Sequence, residues 1–282
     1  MREIHVEKIT NTISNMVQNI NFNYPIDIEE RLKKAIYKET SEIGKRTLEL
    51  LMENAKIAKE EHLPICQDTG MVIVFLKIGQ EVHFVGGSLK EAINEGVRKG
   101  YKEGYLRKSI VEDPLFERKN TNDNTPCVIY SEIVDGEEVE ITIGCKGFGS
   151  ENMSTLTMLK PAEGIKGVKE SVLNAIKNAG SNACPPMVVG VGIGGTFDYA
   201  AMLAKKATLR DCNIPNEHPQ FAKLEKELLE LANTLNIGPQ GLKGDTSVLA
   251  VNIEYFPTHI AGLPCAVNIS CHATRHCKEV VK

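Results

Sequence analysis

Cys66, Cys184 and Cys271 stand far apart in the chain, yet each sits where a helical or strand-like run gives way to a turn. The first lies in Leu63-Pro64-Ile65-Cys66-Gln67-Asp68-Thr69-Gly70, the second in Ser181-Asn182-Ala183-Cys184-Pro185-Pro186, and the third in Ser270-Cys271-His272-Ala273-Thr274-Arg275. Pro64 and Gly70 bracket the first segment with turn chemistry, which shapes a loop able to present a thiol and a carboxylate two residues apart. The separations are 118 and 87 residues, so no local Cys-x-x-Cys knuckle is possible. Any site built from all three has to be assembled by the fold, and that requirement constrains the architecture more than any other feature.

The chain has 282 residues and a formal net charge of -4, with neither a basic block nor basic residues interleaved with aromatics. A nucleic-acid footprint is therefore not expected. No stretch approaches the apolar length of a membrane span, and Met1 to Asn21 is charged and helical in period, unlike a secretory leader. A cytoplasmic protein is expected. In that compartment eight cysteines read as metal ligands, catalytic groups or small core residues rather than as a disulfide framework.

Periodicity predicts helices first. Ile9, Ile13, Met16, Val17 and Ile20 share a face, as do Ile28, Leu32, Ala35 and Ile36 after Asp27 as N-cap. Leu48, Leu51, Met52, Ala55 and Ala58 mark a third helix. Met71 to Ile78 and Glu81 to Val85 read as a pair of strands, followed by a helix carrying Leu89, Ala92, Ile93, Val97 and Tyr101. The polar stretch 105–126 reads as a long loop, of the kind that either serves function or is mobile. Cys127 to Val134 and Val139 to Cys145 read as a hairpin turned by Asp135-Gly136. A helix carrying Ile165, Val168, Val172 and Ile176, a buried strand over Met187 to Ile193, a helix carrying Phe221, Leu224 and Leu228, and strands near Ser247 to Tyr255 and Leu263 to Ile269 complete an α+β chain.

Three thiolates suit an iron-sulfur cluster with one iron left open to substrate, whereas an electron-transfer cluster takes four. Zinc is the competing reading for the tail, because Cys271-His272 and His276-Cys277 fall at ligand-like spacing. A metal-stabilised scaffold subunit without its own catalysis is the alternative of another class. Cys127, Cys145, Cys212 and Cys265 read as core or loop thiols. Val189-Gly190-Val191-Gly192-Ile193-Gly194-Gly195 lacks the G-x-G-x-x-G order, so close packing explains it better than a dinucleotide.

Cys66-Gln67-Asp68-Thr69-Gly70, Lys146-Gly147-Phe148-Gly149-Ser150-Glu151-Asn152, Ala183-Cys184-Pro185-Pro186 with Gly194-Gly195-Thr196, and Ser270-Cys271-x-Ala273-x-Arg275 occur in one order over essentially the whole chain. Together they resemble class I fumarase, and in particular the α subunit of the two-subunit fumarase and L-tartrate dehydratase group. The resemblance implies one α-subunit domain over residues 1–282 and a 4Fe-4S cluster held by Cys66, Cys184 and Cys271. It also implies that Gln67, Asp68, Arg107 and His259 meet the substrate, with Asp68 as the acid/base group and His259 near the cluster. Fumarate hydration is the expected reaction, with L-tartrate dehydration as the alternative, and a separate β subunit is expected to complete the site in an α2β2-type assembly.

Overall fold

The computed structural model describes residues 2–282 and divides the chain into two compact units. One comprises residues 1–25, 55–147 and 275–282, the other residues 26–54 and 148–274. Among the described residues no helix is long and apolar enough to cross a membrane.

The first unit is a four-stranded sheet, β2 (Met71–Gly79), β4 (Val128–Val134), β5 (Val139–Lys146) and β10 (His276–Val281), in the order β10-β5-β2-β4. Helices α1 (Val6–Phe22) and α4 (Leu89–Glu103) pack together with this sheet. The predicted apolar face of α1 is the buried face: Ile9, Ile13, Val17 and Ile20 join Val72, Val74, Ile93 and Ile141 in one core. Each such aliphatic side chain contributes about 1.5–3 kcal/mol on full burial. The two helices come close because Gly96 and Gly100 of α4 leave room for α1; a Cβ on Gly96 would lie 2.7 Å from the Thr10 carbonyl oxygen.

Two strand pairings differ from the sequence expectation. β4 and β5 form no hairpin, since β2 lies between them, parallel to β4 with Ile73 opposite Val128 and antiparallel to β5 with Met71 opposite Lys146. The Asp135-Gly136 turn instead arches over the end of β2, where Gly79 N–H donates to the Glu138 carbonyl at 2.9 Å. Gly79 has to be glycine there, because a Cβ would sit 2.4 Å from the Gly136 carbonyl oxygen. The run β2 is apolar on both faces, so a central position buries more of it than an edge would. Likewise β3 (Val82–Val85) leaves β2 and pairs in parallel with β1 (Arg2–His5), a strand formed by residues expected to begin the first helix.

The second unit holds β6 (Thr155–Leu159), β7 (Met187–Gly195), β8 (Val248–Thr258) and β9 (Leu263–Ser270) in the order β6-β9-β7-β8. Val189, Val191 and Ile193 of β7 pack with α6 (Gly164–Ala179) and α8 (Pro219–Asn233) through Val172, Ile176 and Leu228. The intervening glycines face α7 (Phe197–Ala207), where a Cβ on Gly190 or Gly192 would lie 2.2 or 2.0 Å from a helix carbonyl oxygen. The alternating Val-Gly run is thus a strand with one bulky face and one bare face on which a helix rests. Also in this unit, α2 (Ile26–Lys38) begins before Asp27, so Asp27 is not its N-cap; Asp27 Oδ2 instead accepts from Cys212 N–H at 2.8 Å.

Candidate functional site

In the first unit the segment 62–70 bridges α3 (Glu42–Glu61) and β2. Its buried residues fix it from beneath. Ile65 N–H donates to the Asn21 carbonyl at 2.8 Å. Thr69, almost wholly buried, donates its hydroxyl to the Arg107 carbonyl at 2.7 Å. The Tyr101 hydroxyl, fully enclosed, donates to the carbonyls of Thr69 at 2.7 Å and Gly70 at 2.9 Å. Asn124 Nδ2 donates to the same Gly70 carbonyl at 3.1 Å, and Asn124 Oδ1 accepts from Ser109 N–H at 2.7 Å.

Between these anchors Cys66 and Asp68 are half-buried and Gln67 is exposed. Asp68 Oδ1 accepts from Gly70 N–H at 3.0 Å, an Asx turn that fixes the carboxylate relative to its own backbone. Gly70 has φ +79, and a Cβ there would meet the Lys146 backbone at 2.8 Å, so glycine is required on both counts. Asp68 Oδ2 in turn lies 3.1 Å from where a Cβ on Gly147 would be. The same hydrogen bonds carry the exposed Arg107 on the backbone tied to Thr69, so Cys66, Gln67, Asp68 and Arg107 belong to one braced loop system.

In the second unit Cys184 and Cys271 come together at one end of the β7/β9 pair. Val188 of β7 faces Ser270 of β9 in antiparallel register, so the residues just before β7 and just after β9 emerge side by side. A hydrogen bond from His272 N–H to the Cys184 carbonyl at 3.2 Å ties the two turns. Cys184 is exposed and adopts left-handed backbone geometry, φ 49 and ψ 64. Its amide is held by the Ser181 carbonyl at 3.1 Å. On the other side, the Thr274 hydroxyl donates to the Cys271 carbonyl at 2.8 Å and fixes the third cysteine turn. Glu151 supports this end of the sheet. It forms an ion pair with Lys205 and accepts from Asn268 Nδ2 at 2.9 Å, two residues before Ser270.

The eight thiols fall into two chemical groups. Burial pushes Cys127 and Cys277 up to about 12, Cys265 up to about 11, and Cys145 and Cys212 upward as well. A thiol held protonated by apolar surroundings is a poor metal ligand. Cys66 and Cys271 are half-buried and Cys184 exposed, all on turns. Cys277 is a strand residue of β10 opposite Ile143. No cluster of three or more His, Cys, Asp or Glu side chains poised to take a metal ion occurs among the described residues.

His259 falls elsewhere. It follows β8, whose Thr258 pairs with Gly195 at the far end of β7, and it sits in the exposed turn leading into β9. Cys271 emerges from the opposite end of β9. Eight strand residues separate the two ends, about 25 Å at the usual rise. Within one chain, His259 and Cys271 therefore lie at opposite ends of β9.

The fumarate hydratase (fumerase) family model matches residues 10–280. The chain belongs to this family. It is 45% identical over 98% of its length to a Methanocaldococcus jannaschii protein, provisionally named L(+)-tartrate dehydratase subunit alpha, and covers 98% of that protein. The L(+)-tartrate dehydratase α subunit of Escherichia coli K12 is 35% identical over 96% of the chain, which covers 89% of it, and the Shigella sonnei protein of that name matches to the same extent. Fumarate hydration and tartrate dehydration are both hydro-lyase reactions, so membership makes this a hydro-lyase family chain. Three of its braced polar residues carry no sequence signal of their role. Tyr101 reads only as one more position on an apolar helix face, and Asn21 and Asn124 lie in unremarkable polar contexts.

Proposed function

We propose that the chain is the α subunit of an iron-sulfur hydro-lyase acting on a four-carbon hydroxydicarboxylate, with L(+)-tartrate dehydration as its leading reaction. The observation that carries this reading is the sorting of the thiols: the three cysteines on braced turns are the three that the family resemblance assigns to a 4Fe-4S cluster. The donor set fits, since three thiols on turns, with the similarly half-buried Cys277 held within strand β10, suit a cluster with one open iron. When bound, such a cluster supplies a Lewis acid for the substrate hydroxyl.

The chain's own residues would do the rest. Water leaves tartrate or malate when a proton departs from a carbon next to a carboxylate and hydroxide departs from its neighbour. Asp68, fixed by its Asx turn, moves that proton; Gln67 beside it orients the substrate; Arg107, on the backbone held by Thr69, binds a carboxylate. His259 is left out of this set. Dicarboxylate binding calls for further cations, and the α-subunit names of the relatives support a separate β subunit that contributes them; the α2β2-type assembly is part of the proposal. The names also move the preferred substrate from fumarate to tartrate; the family model keeps fumarate hydration as the second reading.

The test is anaerobic reconstitution of the full chain with iron and sulfide, then turnover of L(+)-tartrate, L-malate and fumarate with and without the β subunit. Four irons per chain and partner-dependent loss of water from tartrate are expected. Zinc in place of a cluster, or turnover retained by Asp68→Asn, would refute the assignment.

A further inference from the structure

Arg275 is 2% exposed, the largest fully enclosed side chain among the described residues. Among the described residues its guanidinium makes one side-chain hydrogen bond, from Nη1 to Asn21 Oδ1 at 2.9 Å, and forms no ion pair. Its Nε is enclosed with no partner at all. Burying an ion without an opposite charge is strongly unfavourable, and folded proteins rarely tolerate it.

Two polar neighbours do not neutralise it. The Tyr101 hydroxyl and the Cys145 thiol are held protonated by burial, so neither carries negative charge at neutral pH. Asp68 Oδ2 and Arg275 Nη2 lie 3.1 and 3.7 Å from the position of a Cβ on Gly147. A permanent cation thus stands behind a glycine that leaves the space beside it open. The contact through Asn21 says what lies next to it, because the Asn21 carbonyl accepts the amide of Ile65, the residue before Cys66.

We propose that Arg275 is the fixed counter-charge for an anionic group anchored at Cys66, and that this group is the thiolate-ligated cluster. The inference rests on the iron-sulfur reading given above. Three thiolates bring more negative charge than the iron-sulfide core carries positive, so the assembled cluster is an anion. A resident anion suits a cation this deeply enclosed better than a substrate that must enter and leave at every turnover. Arg275 is on this account a positioning residue: it stabilises the charged, loaded state of the Cys66 loop at the expense of the empty one.

The experiment compares wild type, Arg275→Met, Arg275→Lys and Asn21→Asp as full-length chains, before and after anaerobic loading with iron and sulfide. Arg275→Met removes the unpaired cation, so the unloaded protein should unfold at or above the wild-type temperature. The loaded variant should hold less iron and sulfide, lose iron several-fold faster in air, and show a lower reduction potential, because a nearby positive charge favours the reduced cluster. Arg275→Lys keeps the charge and should retain most of the loading. Asn21→Asp supplies a carboxylate where Arg275 already bonds, and should stabilise the empty chain while lowering the potential, which keeps the test open if Arg275→Met does not fold. Unchanged loading and potential in both Arg275→Met and Asn21→Asp would overturn the assignment of Arg275 alone. Wild-type protein that takes up no iron would overturn the cluster reading and this inference with it.

Discussion

Replacing Tyr101 by Phe deletes a single oxygen atom beneath the Cys66–Gly70 loop and leaves the ring in its core position. The hydroxyl donates to two backbone carbonyls from a fully enclosed site. After the change, the Gly70 carbonyl keeps its bond from Asn124 Nδ2, but the Thr69 carbonyl loses this donor. Leaving one buried acceptor unsatisfied costs about 1–3 kcal/mol. Taking about 2 kcal/mol, the unfolding midpoint should fall by about 4–8 °C for a chain of this size. The second effect is local, because the same carbonyls define the height at which Cys66, Gln67 and Asp68 are presented. The loaded enzyme should lose kcat with KM little changed, and its cluster should show altered spectroscopic features. Ile93→Val on α4 is the control: it trims the same core for about 1 kcal/mol without touching the loop, and should lower the midpoint while leaving kcat intact. Urea denaturation and steady-state kinetics on both variants measure the two effects. A Tyr101→Phe protein within about 0.5 kcal/mol of wild type, or one whose kcat loss is matched by Ile93→Val, would refute the reasoning.

Cys66→Ser, Cys184→Ser and Cys271→Ser should each abolish cluster iron while changing the stability of the empty chain little, whereas Cys127→Ser and Cys265→Ser should keep the iron and cost about 1–3 kcal/mol by enclosing a hydroxyl; iron analysis and urea midpoints distinguish the two sets. Gly192→Ala should unfold the second unit or destabilise it by more than about 3 kcal/mol, since its Cβ would lie 2.0 Å from the Ala200 carbonyl oxygen, and a variant that expresses with a normal circular dichroism melt would contradict that packing. Asp123, beside Asn124, has its carboxyl lowered to about 2: burial acts upward, but the Arg98 guanidinium and the Thr125 hydroxyl and amide outweigh it. A depressed carboxyl stabilises the fold above its ordinary value of 3.8, and that contribution fades as pH falls through about 2. Asp123→Asn should therefore cost about 1 kcal/mol at neutral pH, after allowance for solvent screening, and nothing below about pH 2; a deficit that persists unchanged in acid would show that the ion pair is not its source.

Helices α1, α4, α6 and α8 were legible because burial imposes a period on the chain, and Ile9, Ile13, Val17 and Ile20 obey it without interruption. Strand partners were less so. Nothing local in Val128–Val134 or Val139–Lys146 reveals that β2 inserts between them; turn residues such as Asp135-Gly136 signal a reversal, and a reversal over a third strand uses the same chemistry as a tight hairpin. The cysteine turns were visible because proline, glycine and carboxylate neighbours mark a loop that presents side chains. What braces them was not, since Tyr101, Asn21 and Arg275 act through buried hydrogen bonds with partners far away in sequence, and periodicity reports burial without reporting what a polar atom does there. His259 illustrates the converse: twelve residues from Cys271 along the chain, it is carried to the other end of the sheet because β9 runs the whole length between them.

The antiparallel register of β7 and β9 also works as a ruler. Because Val188 is locked opposite Ser270, the spacing between the Cys184 and Cys271 turns is set by strand pairing in the empty chain, before any metal arrives. Slipping β9 by one residue would move Cys271 by about 3.4 Å and turn its side chain to the opposite face. An insertion or deletion within either strand is thus a graduated error in the placement of the proposed ligands, and a chain can carry one, keep its core, and still be unable to close the proposed three-thiol site.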